Sequence, residues 1–162
     1  MNIACRHIAF TERDLKIERL FQAPRALVYE AWTNPALLSQ WWGPVHYPAT
    51  HMDMQVAEGS HWRNGLKSVE SGEILWQNGT FRVVKPLQKL VFSFVWEAEG
   101  ERGMANEVTV IFADGPNPNQ TLVTLYQHPF HSLNESEGHG DGWWSSFDRL
   151  QTLLSFPMEI ST

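Results

Sequence analysis

The sequence predicts an α+β domain in which a curved antiparallel sheet of about six to seven strands wraps one long C-terminal helix. Three observations predict it. Short runs with a period of two, separated by turn residues, recur from residue 15 to residue 127. Two short helix signals fall between the first of those runs and the second. Beyond them a single stripe of large apolar side chains at helical spacing closes the chain. One amphipathic helix has to bury its stripe on the concave face of the sheet.

Leu15 to Phe21 alternates apolar and polar, the mark of a half-buried strand. Pro24 suits the first turn of a helix, where a missing N–H costs nothing. Val28, Ala31 and Trp32 follow at helical spacing, and Pro35 ends that helix. Asn34 caps a second short helix running up to Trp41-Trp42-Gly43-Pro44. Strands are expected at His51–Val56, from His61, and from Gly72 to Val84. Asn78-Gly79, often a hairpin signal, is read as a bulge because no complete strand fits on either side. In the next strand Leu90, Phe92, Phe94 and Trp96 share the inner face, with Val91, Ser93 and Val95 on the other. Glu107–Phe112 and Thr121–Gln127 form a hairpin around residues 114–119. Gly138 to Gly142 reads as a flexible break. Trp143, Phe147, Leu150 and Leu154 then line one face of the long helix, and Pro157 ends it. One domain is expected at residues 14–157, with a loose lead-in at 1–13 and a tail at 158–162.

Composition excludes several functions. A net charge of −6 argues against nucleic acid and against an anionic membrane surface. The single cysteine, Cys5, allows no intrachain disulfide, and no signal-like or membrane-spanning run is present, so a cytoplasmic setting is expected. No nucleophile triad, phosphate loop or dinucleotide fingerprint occurs. The seven histidines include His128, His131 and His139, whose spacing fits no standard zinc site, so neither a metal nor a cofactor is expected.

Five stretches carry a resemblance. They are Phe21 to Pro35, Leu38 to Pro44, Gly79 to Phe92, the hairpin of Val108–Phe112 with Thr121–Leu125, and Gly142-Trp143 with Phe147 and Leu150. Together they resemble the SRPBCC (START-like, helix-grip) superfamily, in the branch similar to the activator of heat-shock protein 90 ATPase. The resemblance covers about residues 15–156. It implies the helix-grip fold and an internal cavity. It implies no single function, since members include small-molecule binders, cyclases and co-chaperone domains.

Eight Trp and nine Phe exceed what a core of this size needs, and a sheet gripping one helix leaves a gap near one end. The candidate cavity lining is therefore Trp41, Trp42, Trp62, Trp76, Phe92, Phe94, Trp96, Tyr126, His128, Trp143 and Phe147. Trp41 and Trp42, as neighbours on a short helix, are expected to divide between core and pocket rim. Asp53, set between two methionines, is an alternative buried carboxylate. Arg63 and Arg82 are candidates for an anionic ligand. Three function classes follow: a binding protein for a hydrophobic small molecule, a cyclase- or hydrolase-like enzyme using the same cavity, and a co-chaperone-like interaction domain. A homodimer and a chaperone partner are further expectations.

Overall fold

A computed structural model describes residues 6–98, 101–102 and 105–156; Cys5, Pro157 and the tail at 158–162 lie outside them. Nine strands and three helices follow one another among the described residues. Their order is β1 (His7–Phe10), β2 (Leu15–Phe21), α1 (Arg25–Thr33), α2 (Pro35–Trp41), β3 (Ala49–Asp53), β4 (His61–Lys67), β5 (Ile74–Lys85), β6 (Lys89–Ala98), β7 (Glu101–Arg102), β8 (Asn106–Asp114), β9 (Thr121–His128) and α3 (Leu133–Ser155). The sheet is antiparallel and curved, in the order β1-β2-β9-β8-β6-β5-β4-β3, with the two-residue β7 beside β6. Helix α3 packs on β1 and β2 and against α1 and α2. This is the helix-grip architecture.

Local chemistry explains the two short helices. Pro24 is the N-cap of α1, and Val28, Ala31 and Trp32 are its buried face. Asn34 then turns the chain: its side-chain oxygen accepts from the Ala36 N–H at 3.0 Å, and Pro35 takes the first helical position of α2. The inward register of β6 is as the alternation predicts. Leu90, Phe92 and Phe94 are at most 3% exposed, and Trp96 packs against the same core.

Four expectations are corrected. Residues 7–10, placed in a loose lead-in, form β1 and pair with β2 from His7↔Glu18 to Phe10↔Leu15. Asn78-Gly79 is neither turn nor bulge: β5 runs through it in unbroken register with β4, and its irregularity lies between Phe81 and Val83. The glycine is needed for close approach, because a Cβ at residue 79 would sit 1.8 Å from the Ser93 carbonyl oxygen and 2.7 Å from Trp62 Nε1. Trp41 and Trp42 are both buried, Trp41 in the core and Trp42 on the wall of the space beside α3, but they are not neighbours on one helix. Trp41 ends α2, whereas Trp42 is the extended C-cap residue (φ −64°, ψ 132°), so the two rings do not follow helical spacing.

The fourth correction concerns α3. It starts ten residues before Trp143 and passes straight through Gly138 to Gly142. Ser132 caps it, accepting from the Glu135 N–H at 3.2 Å. The buried stripe begins with Ser136 and Gly140 and continues through Trp143, Ser146, Phe147, Leu150 and Leu154. At Gly140 the helix comes close to the sheet: a Cβ there would meet Ile8 and Leu15 side chains at 3.2 Å. Trp144 lies outside the stripe, with the Arg19 guanidinium 4.7 Å from its ring centre.

Candidate functional site

The concave side of the sheet is packed with aromatic rings. Trp32 stacks on Trp143 with centroids 6.1 Å apart and meets Trp41 edge to face at 4.7 Å. Trp42 bridges this group to Trp62 and Phe92 on the sheet, at 6.0 and 6.2 Å. Toward the N-terminal half of α3 the packing stops. A cleft of about 360 Å³ opens there between α3, the segment after α2 and the inner faces of β4, β5 and β6.

Each wall has a local cause. The segment after α2 contributes Trp42, Gly43, Pro44 and Tyr47. Gly43 takes φ +91°, and a Cβ there would meet the Tyr47 carbonyl oxygen at 2.4 Å, so the tight turn admits only glycine. Arg149 holds this rim from α3. Its guanidinium donates to the carbonyls of Gln40, Trp41, Trp42 and Gly43 at 2.7–3.3 Å, answering the open end of α2. Burial lowers the Arg149 pKa. The sheet contributes Leu66, Leu75, Gln77, Phe94 and Trp96. From α3 come Gly138 and Gly142, four residues apart on one face, together with Asn134, Glu135, His139, Trp143 and Ser146. A Cβ at Gly138 or Gly142 would meet nothing within 4 Å, so the two glycines leave the space that side chains would fill.

Polar groups in the wall are few. Trp42 Nε1 donates to Gln77 Oε1 at 3.0 Å, and Trp143 Nε1 donates to Gln127 Oε1 at 2.8 Å. Gln127 in turn donates to Asn106 Oδ1 at 2.9 Å. Trp96 Nε1 lies 2.9 Å from His139 Nε2. An indole N–H only donates, so His139 Nε2 is the acceptor and the ring carries its proton on Nδ1. Phe94 and Phe130 flank this imidazole at 5.5 and 5.0 Å. Burial among them lowers the His139 pKa from 6.5 to about 4.

That pKa has a consequence for stability. Between pH 6.5 and 4 the unfolded chain takes up a proton that the folded chain refuses. The stabilisation is complete above pH 6.5 and is lost as pH falls toward 4, with a full size of about 3 kcal/mol. Denaturant midpoints at pH 7.5 and 4.5 should therefore differ more in the wild type than in His139→Gln. Equal pH dependence in the two proteins would contradict the burial of a neutral imidazole.

The structure sorts the candidate side chains into three places. Trp42, Phe94, Trp96 and Trp143 line the cleft. Trp41, Trp62, Phe92 and Phe147 are at most 1% exposed and fill the core beside it. Trp76, Tyr126 and His128 are on the outer face. Trp76 pairs with Gly65, out of phase with the inward Leu75 and Gln77, and lies under the Arg63 guanidinium at 3.9 Å. Tyr126 and His128 alternate with the buried Leu125 and Gln127, so both are turned out. Asp53 is exposed. Arg63 pairs with Glu97 at 3.0 Å and Arg82 with Glu107 at 2.8 Å, so neither faces the cleft. Among the described residues no three His, Cys, Asp or Glu side chains gather as metal ligands would.

Gln77 was missed as a wall residue, and His139 and the glycine pair were placed at the pocket rim in a flexible break instead of on α3. A signal was present for the last two. Ser132-Leu133-Asn134-Glu135 is a capping-box pattern. It would have started the helix early enough to put Gly138, His139 and Gly142 on one surface.

The family model described as "Activator of Hsp90 ATPase homolog 1-like protein" matches residues 22–155. No curated protein matches the chain. Among solved structures, an AHSA1 protein of Silicibacter pomeroyi is 25% identical with a TM-score of 0.78, over 88% of this chain and 97% of that one. A protein of Arthrobacter aurescens, 21% identical, has a TM-score of 0.78 over 95% of both chains. One of Rhodobacter sphaeroides, 16% identical, reaches 0.77 over 94% of this chain and 99% of that one. The last two likenesses concern the fold alone. With its family model matched across the sheet and the closing helix, the chain belongs to the family of activator of Hsp90 ATPase homolog 1-like proteins.

Proposed function

We propose that this protein binds an apolar, planar small molecule in the cleft between α3 and the sheet, acting as a cytoplasmic binding protein or carrier. The observation that carries the reading is the composition of the wall. Trp42, Phe94, Trp96 and Trp143 present aromatic surface to an open volume of about 360 Å³, which is within the range of small-ligand sites. The few polar groups there are mostly used by one another, as in the Trp96–His139 and Trp42–Gln77 pairs. Such a wall favours uptake by burial of apolar surface over acid–base chemistry.

Tryptophan fluorescence tests it. Titration with a panel of polycyclic aromatics should give stoichiometric saturation in the wild type and weaker binding in Trp96→Phe. No binding across the panel would remove the carrier reading. It would also favour a second one, an interaction module for a chaperone, whose support is the family's description by likeness to an activator of Hsp90 ATPase.

A further inference from the structure

Gln77 is a polar side chain that the fold answers at one end only. It is 4% exposed and belongs to the cleft wall. Its Oε1 accepts from Trp42 Nε1 at 3.0 Å. Because the indole can only donate, that contact fixes which end of the carboxamide faces Trp42. Among the described residues this is the one hydrogen bond of the Gln77 side chain, so the two N–H donors on Nε2 remain, and unlike the Asn64 amide they are not sealed off.

A second amide lies beside it. Asn64 is the register partner of Gln77 on β4, and Trp96 is its partner on β6, so the three form one row across the inner face. Asn64 is fully buried, and neither Nδ2 nor Oδ1 has a partner. Buried amide groups left unanswered are costly, and native proteins match them with water or with a bound polar group. Asn64 lies behind the wall and outside the cleft lining, so the apolar wall carries one buried amide of its own, that of Gln77. The charge of the wall narrows the choice further. Among the described wall residues Glu135 is the one carboxylate, and none is Lys or Arg, so an anion would find no counter-charge.

We infer that the cleft, if it is the ligand site proposed above, selects a neutral planar aromatic molecule carrying a hydrogen-bond-accepting oxygen, of the ketone or quinone type, which receives an N–H of Gln77. The contact adds direction to a site whose affinity comes from burial. It also sets the ligand class apart from plain hydrocarbons and from aromatic acids.

Three probes of one shape test it by titration calorimetry: 9-fluorenone, fluorene and fluorene-9-carboxylate. The wild type should bind fluorenone about tenfold more tightly than fluorene, the size of one net hydrogen bond, and the carboxylate most weakly. Gln77→Leu should lose the fluorenone preference while still binding fluorene. Gln77→Met, of similar length and without a donor, should lose it too. Equal affinity for fluorene and fluorenone in the wild type would overturn the inference and leave the binding cleft standing. So would a preference that survives in both variants. If none of the three probes binds, the cleft reading fails and this inference fails with it. The wild-type comparison decides the matter even where a variant does not fold.

Discussion

Leu150→Ala is expected to destabilise the protein by about 2–5 kcal/mol, as buried leucine truncations do. Leu150 has no exposed surface and sits in the middle of the α3 stripe, between Phe147 and Leu154. Phe147 beside it meets Phe21 edge to face at 5.5 Å, so this turn of the helix is docked on β2. The site cannot collapse easily, because its neighbours are held by a sheet on one side and by α2 on the other. A denaturant midpoint unchanged from wild type would mean that α3 is not docked as described.

Gly79→Ala is expected to cost about as much, roughly 3 kcal/mol, through overpacking instead of a cavity. The added methyl would meet backbone, the Ser93 carbonyl, which belongs to β6 and cannot swing away as a side chain would. Relief requires β5 and β6 to separate at the centre of the sheet, next to Trp62. Gly142→Ala provides the contrast. The same methyl there meets open space on a helix, where alanine is favoured over glycine by about 1 kcal/mol. Thermal unfolding of the two variants should shift in opposite directions. A neutral Gly79→Ala would show that β5 and β6 do not approach each other this closely.

These two positions also show what the sequence could reveal. Alternation is a property of the residues themselves, so the inward face of β6 was legible at Leu90, Phe92 and Phe94. The caps of α1 and α2 were legible for the same reason, since Pro24, Asn34 and Pro35 act on their own backbone. Gly79 was misread because its role depends on Ser93 and Trp62, which are distant in sequence. The first half of α3 was hidden by its composition. Its buried positions are Ser136 and Gly140, and an apolar stripe finds neither. Helix propensity there is poor, and docking on β1 and β2 overrides it. The cleft was legible only as an expectation of some gap. Excess tryptophan suggested its lining, yet Trp32, Trp41 and Trp62 are core, and the opening follows as much from side chains that are missing at Gly138 and Gly142.

The central claim is that the space beside Gly142 receives a ligand, and filling that space tests it most directly. Gly142→Leu adds apolar bulk to the cleft wall at a point where nothing stands in the way, on a helix that tolerates leucine better than glycine. Binding of a polycyclic aromatic that saturates the wild type should be measured in this variant alongside its thermal midpoint. The midpoint should equal or exceed that of the wild type, with binding lost or weakened by at least tenfold. Undiminished binding in a folded Gly142→Leu protein would contradict it, since the ligand would then be held somewhere other than between α3 and the sheet.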